Sequence, residues 1–194
     1  MTTLILARHG ETDWNRENRF QGHADPPLND LGRRQSGELA NALDGEEIAR
    51  VYTSPLRRAT ETAEIVAGRL GLEVEPVEGL REIDVGAWSG LTRDEVAARF
   101  PDEYAVWLER APDGFEGGET YDELAARVIP ALRRLADRHP VETVLVVTHG
   151  GPSRVAQAYA AGIGYAEARR RETVLGNCAV ARFAVEDGEF RRLG

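Results

Sequence analysis

Two unbroken apolar runs, Leu4-Ile5-Leu6-Ala7 and Val144-Leu145-Val146-Val147, constrain the fold of this chain more than any other feature. Each has the length of a strand and no alternation, the pattern of a strand buried on both faces. Such strands belong to parallel sheets with helices covering each side. Between the two runs, strand-like and helix-like segments alternate. Val51-Tyr52-Thr53 reads as a short buried strand, Leu72 to Val77 as an edge strand and Cys178 to Val185 as a last strand. Asn29 is expected to cap one helix. Ser54 and Pro55 supply the N-cap and first position of the next, which Gly71 ends. Thr92 with Glu95 and Thr120 with Glu123 form capping boxes. The first opens a helix stopped by Pro101; the second opens a long helix that Pro130 is expected to kink. The expected class is α/β, a three-layer α/β/α sandwich with a mostly parallel central sheet, in a single domain over residues 1–194. Residues 83–118 read as a helical and loop excursion from the sheet.

Bulk chemistry removes several function classes. The formal net charge is −9, which argues against nucleic acid as a partner. All 24 basic residues are arginine. A P-loop lysine, a Schiff-base lysine and a lysine general base are therefore excluded. No apolar stretch approaches the ~20 residues of a membrane helix, so no membrane partner is expected. The single cysteine, Cys178, permits no internal disulfide, and the N-terminus lacks a secretory pattern. The expected compartment is the cytoplasm.

Both apolar runs deliver a histidine followed by glycine: Arg8-His9-Gly10 and Thr148-His149-Gly150. All C-terminal strand ends of a parallel sheet face one way, and ligands of open α/β sheets bind there. The two histidines can thus lie side by side although 140 positions separate them. Arg58 falls in the first turns of the helix after Val51-Tyr52-Thr53, at the same edge and beside a positive dipole end. Imidazole is a nucleophile and a fixed guanidinium holds an anionic phosphoryl group, so the pattern points to phosphoryl chemistry on histidine. Glu82 is the best-placed acid; Glu11 and Asp84 are rival carboxylates.

With these residues in hand, the chain resembles the histidine phosphatase superfamily, the phosphoglycerate mutase-like family. The matching stretches are Arg8-His9-Gly10-Glu11-Thr12 with Trp14-Asn15, Arg19-Phe20-Gln21-Gly22 and Pro27-Leu28. Thr53-Ser54-Pro55-Leu56-Arg57-Arg58-Ala59 with Thr62-Ala63 follows, then Leu80-Arg81-Glu82 with Gly86, Gly117-Gly118-Glu119 and Val147-Thr148-His149-Gly150. A lone Arg-His-Gly is a weak signal. The ordered set, spanning residues 4 to 151, is a strong one.

The resemblance implies a metal-independent phosphomonoesterase needing no cofactor. His9 would attack phosphorus and carry a phosphohistidine. Arg8, Arg58 and His149 would surround the phosphoryl oxygens. Asn15 and backbone N–H groups near Gln21, Gly22 and Gly150 would add neutral donors. Glu82 would serve as general acid, then general base. Arg58 is preferred to Arg57 because it precedes Ala59, as the family's phosphate-binding arginine does, while Arg57 points about 100° away. The substrate would be a small phosphorylated metabolite, and a homodimer is common in the family. The alternatives are a cofactor-dependent phosphoglycerate mutase and a non-catalytic phosphate-binding module. Only 67 positions separate Glu82 from His149, too few for the long insertion of family mutases, so hydrolysis is expected. No metal-ligand spacing joins the histidines. His23 and the run Arg169-Arg170-Arg171 read as solvated, His139 as structural and Cys178 as a buried strand residue. Trp88, Phe100, Tyr104, Trp107 and Phe115 are expected to pack the excursion's own small core, with one or two rings facing the pocket.

Overall fold

The computed structural model describes residues 1–109, 113–171 and 174–193; residues 110–112 of the predicted excursion lie outside these. Strands β1 (Thr2–Arg8), β2 (Ile48–Thr53), β3 (Val74–Pro76), β4 (Thr143–Thr148), β5 (Val180–Glu186) and β6 (Glu189–Leu193) build one sheet. Its order is β3-β2-β4-β1-β5-β6. The first four neighbours in that order pair in parallel, whereas β5 and β6 run antiparallel. The sheet is thus mostly parallel with an antiparallel margin. The final hairpin was not legible: Asp187-Gly188 supplies its turn, with both residues in the left-handed region.

The helices are α1 (Asp13–Arg16), α2 (Asp30–Ala42), α3 (Arg57–Leu70), α4 (Arg93–Arg99), α5 (Pro101–Glu109), α6 (Tyr121–Arg138), α7 (Gly150–Ala161) and α8 (Tyr165–Arg171). The central strands are buried on both faces. Ile5, Ala7, Leu145 and Val147 pack against α2 and α3 through Leu39, Ala40, Ala63 and Val66. Leu4, Leu6, Val144 and Val146 pack against α6 and α7 through Leu124, Val128, Leu132, Val155 and Ala156. Alternate side chains of one continuous apolar run thereby feed two separate cores, which explains the missing alternation.

Caps are made as expected at Asn29, Thr92 and Thr120. Two local expectations, at Ser54 and at Cys178, are corrected. Helix α3 begins at Arg57 after an uncapped Leu56, and Ser54 lies two residues before that N-cap position. Pro101 ends α4 as expected, and it also opens α5, as proline at a first helical position can. Pro130 lies inside α6, as expected. Cys178 precedes β5 with φ 57°, outside the strand, and is half-buried.

The excursion packs over the α6 face. Trp88 is its hub, meeting Phe20, Trp107 and Phe115 edge-on at centroid distances of 5.1, 6.1 and 5.3 Å. Such geometry suits the quadrupoles of aromatic rings.

Candidate active site

Strand register brings distant residues together. Arg8 stands opposite Thr148 across β1 and β4, and Thr53 opposite Val147 across β2 and β4. The next residues, His9, His149 and Ser54, therefore leave three adjacent strands at one edge. The first and last stay tethered: His9 N–H donates to the Thr148 carbonyl at 3.0 Å and Ser54 N–H to that of Val147 at 2.9 Å. The two imidazoles are fully buried, with ring centroids 5.2 Å apart.

Each ring has an assignable tautomer. His9 Nδ1 lies 2.7 Å from the Gly10 carbonyl oxygen. A carbonyl only accepts, so Nδ1 carries the hydrogen and Nε2 the free lone pair. His149 Nε2 lies 2.7 Å from Ser54 Oγ, which also accepts the Leu56 N–H at 3.3 Å. Oγ has two lone pairs, but Nε2 is the one acceptor its hydroxyl reaches among the described residues, so the hydroxyl proton goes to Nε2 and a hydrogen is left on His149 Nδ1. That nitrogen is buried with no protein partner. Burial, then the nearby charges of Arg58 and Arg8, hold His9 well below the ordinary imidazole range. Burial and Arg58 do the same to His149. Both rings are neutral at neutral pH.

The glycine after His9 serves packing. It does not adopt a left-handed conformation; a Cβ there would stand 2.5 Å from the Gly32 carbonyl oxygen. Gly10 N–H donates to Thr62 Oγ1, which donates in turn to the Arg58 carbonyl, so α3 is locked to the histidine loop.

Among the described residues, Arg58 is the largest fully buried side chain. Its Nη1 and Nη2 donate to the carbonyls of Ala24 and Gly22 at 2.7 and 2.9 Å. Burial lowers its pKa to about 10, against the pull of Glu82 and Asp25, so it remains a cation at neutral pH. Arg8 donates Nη1 to the Leu175 carbonyl at 2.7 Å. Nε of each arginine is buried and unpartnered. Two desolvated cations with donors to spare favour an anion in the gap. The Asn15 amide oxygen accepts from Thr12 and Asn177, which leaves its NH2 for the cavity.

Glu82 faces the same cavity. Its Oε1 accepts the N–H groups of Ile83 and Gly151, each at 3.0 Å, leaving Oε2 free. Gly151 is required by close approach: a Cβ would sit 2.4 Å from that Oε1. Behind Glu82, Arg127 donates to the carbonyls of Gly79, Arg81 and Glu82 and forms an ion pair with Glu119 at 2.6 Å. One guanidinium thereby fixes the loop carrying the carboxylate.

Arg8, His9, Asn15, Gln21, Gly22, Arg58, Glu82 and Gly150 all line one cavity of about 240 Å³, and the His149 ring adjoins His9. Arg57 instead pairs with Glu61 on the exposed side of α3. The rival carboxylates are elsewhere: Glu11 binds Asn29, and Asp84 accepts from Gly86 N–H. His23 is not free in solvent, since its Nε2 donates to the Glu82 carbonyl at 2.8 Å. His139 bonds Tyr52 and Glu142 far from the cavity. Phe115 and Trp107 are the excursion rings that reach the cavity wall. Arg169 departs from the solvated-run expectation: its guanidinium stacks 4.1 Å from the Trp107 ring centroid and lines the cavity. Arg154 and Tyr165 also line it and carry no motif. The one signal available was spacing: Tyr165 and Arg169, four apart, share a helical face.

Known proteins supply the comparison for this geometry. The family model of the histidine phosphatase superfamily (branch 1) matches residues 4–193. Phosphoglycerate mutase-like protein 4 of Arabidopsis thaliana is 40% identical over 190 residues, covering 96% of this chain and 80% of that protein. Phosphoserine phosphatase 1 of Hydrogenobacter thermophilus is 39% identical over 155 residues, covering 79% and 74%. The structure of Bacillus stearothermophilus YhfR superposes with a TM-score of 0.91 at 36% identity, covering 99% of this chain and 95% of that one. The chain belongs to the histidine phosphatase superfamily and is a phosphatase.

Proposed function

We propose that this protein hydrolyses phosphomonoesters of small metabolites through a phosphohistidine on His9. The observation that carries the reading is the His9 tautomer: Nδ1 is tied to the Gly10 carbonyl, so Nε2 offers its lone pair beside two buried guanidinium groups. Imidazole Nε2 attacks phosphorus and the ester P–O bond breaks. Arg8, Arg58, Asn15, the His149 Nδ1–H and backbone N–H groups around Gln21, Gly22 and Gly150 hold the three phosphoryl oxygens as charge builds. The leaving oxygen takes the proton carried by Glu82 Oε2. Glu82, now a carboxylate, removes a proton from water, whose oxygen displaces phosphate from Nε2. Glu82 ends protonated and His9 neutral, so the cycle closes without a cofactor or metal in any step.

The decisive experiment is labelling with a 32P-phosphorylated substrate in the presence of a chelator, quenched rapidly in alkaline detergent. The expected result is acid-labile, base-stable label on His9 that is absent in His9→Ala. Label on serine or aspartate instead would refute the mechanism.

A further inference from the structure

Glu82 stands on a stretch with no ladder of its own. Residues 81–85 form neither helix nor strand, so other elements must hold the carboxyl in place. The Glu82 carbonyl oxygen accepts two side-chain donors, Arg127 Nη2 and His23 Nε2, each at 2.8 Å. A carbonyl only accepts, so His23 Nε2 carries its hydrogen in the neutral and the protonated ring alike. The other ring nitrogen, Nδ1, lies 3.8 Å from Asp84 Oδ2, beyond hydrogen-bond reach. The ring is exposed and lies outside the cavity lining.

The backbone on either side of His23 is already committed. Arg58 donates to the carbonyls of Gly22 and Ala24, so the guanidinium beside the nucleophile grips both residues that flank this histidine. The same segment packs on the acid's own loop: a Cβ at Gly22 would stand 2.7 Å from Val85 Cγ2 and 3.0 Å from the Val85 nitrogen. Among the described residues, the contact between His23 and Glu82 is the one hydrogen bond that joins residues 20–25 to residues 81–85. It ties the acid to the segment that Arg58 holds, and Arg58 is close enough to His9 for its charge to act on that ring.

We propose that His23 is a positioning residue, which registers the Glu82 carboxyl against the phosphoryl site by holding the Glu82 carbonyl. It touches no reacting atom. Losing its N–H loosens the peptide that carries the carboxyl, and the cost falls on proton transfer to the leaving oxygen. This assignment rests on the phosphatase reading and adds to it.

The test uses two esters of similar shape that differ in their need for an acid. Phenyl phosphate releases a basic phenolate, the conjugate of a phenol with a pKa of about 10, and gains from a proton donor. Nitrophenyl phosphate releases a much weaker base and gains little. For each ester, kcat/KM reports the formation of the phosphohistidine. His23→Leu is expected to lower kcat/KM about tenfold for phenyl phosphate and less than about twofold for nitrophenyl phosphate. His23→Gln, whose amide N–H stands the same number of bonds from Cβ, is expected to recover most of the phenyl phosphate rate. Both rates come from one preparation, so a partly unfolded sample leaves their ratio unchanged. In a Glu82→Gln background, His23→Leu is expected to leave the ratio where Glu82→Gln alone puts it. Equal losses on the two esters overturn the positioning role. So does a His23→Gln variant no better than His23→Leu, or a further fall of the ratio in the double variant. No hydrolysis of either ester by the wild-type protein overturns the phosphatase reading itself.

Discussion

The Ser54 hydroxyl and the His149 imidazole meet at 2.7 Å, and that contact settles which way a buried ring offers its hydrogen. Ser54 is supplied by the end of β2 and His149 by the end of β4, so neighbouring strands make the pair. Nε2 is the one acceptor that the serine hydroxyl contacts among the described residues, so the serine proton points at Nε2 and Nδ1–H is left for the cavity. Ser54→Ala is expected to lower kcat/KM about 10- to 100-fold, equivalent to about 1.4–2.8 kcal/mol. Ser54→Thr, which keeps the hydroxyl, is expected to retain most of the activity. Equal losses in both variants would refute the orienting role.

Gly151→Ala separates chemistry from stability. The added Cβ would meet Glu82 Oε1 at 2.4 Å, the tip of a flexible side chain, and stand 3.3 Å from Leu124 Cδ2, so the main adjustment is Glu82 swinging away. Swinging away removes the carboxyl from the reacting oxygen. Activity is expected to fall about 100-fold, with a melting temperature within about 3 °C of the wild type. A fully active variant would show that the Glu82 position is not critical.

The two buried imidazoles make folding sensitive to mild acid. Their folded values lie well below the unfolded value of about 6.5. As pH falls through 6.5 the unfolded chain takes up protons that the folded chain refuses, so stability is greatest above that pH and declines below it. Between pH 7 and 5.5 the pair is expected to cost about 2 kcal/mol, measured by denaturant titration. His149→Asn is expected to halve this slope. A flat stability over this range would rule out buried neutral rings.

Arg127→Met addresses the loop behind Glu82. It removes three donations to carbonyls and leaves the largely buried Glu119 carboxylate unpaired. The expected destabilisation is about 3 kcal/mol. Restoring part of that loss with the double variant Arg127→Met/Glu119→Gln would confirm the unpaired charge as its source.

Much of this arrangement is legible before any coordinates. Unbroken apolar runs fix which strands lie centrally, and a His-Gly pair after each run places both imidazoles at one edge. Three features escape because they depend on packing between elements. Ser54 satisfies a local helix-capping rule, but its hydroxyl is claimed by a histidine 95 positions away. Arg169 sits in a run of three arginines whose charge reads as solvated, yet α8 docks with that one side chain against Trp107. Strand β6 lacks apolar alternation because only Phe190 turns fully inward from a margin otherwise facing solvent.

The shared edge of β1, β2 and β4 has a thermodynamic consequence. Central strands open only when the entire protein unfolds. Catalysis is therefore expected to disappear at the same denaturant concentration as the far-ultraviolet signal, with no inactive but folded species between. An oxyanion inhibitor seated at that edge would by mass action raise the unfolding midpoint of the whole sheet.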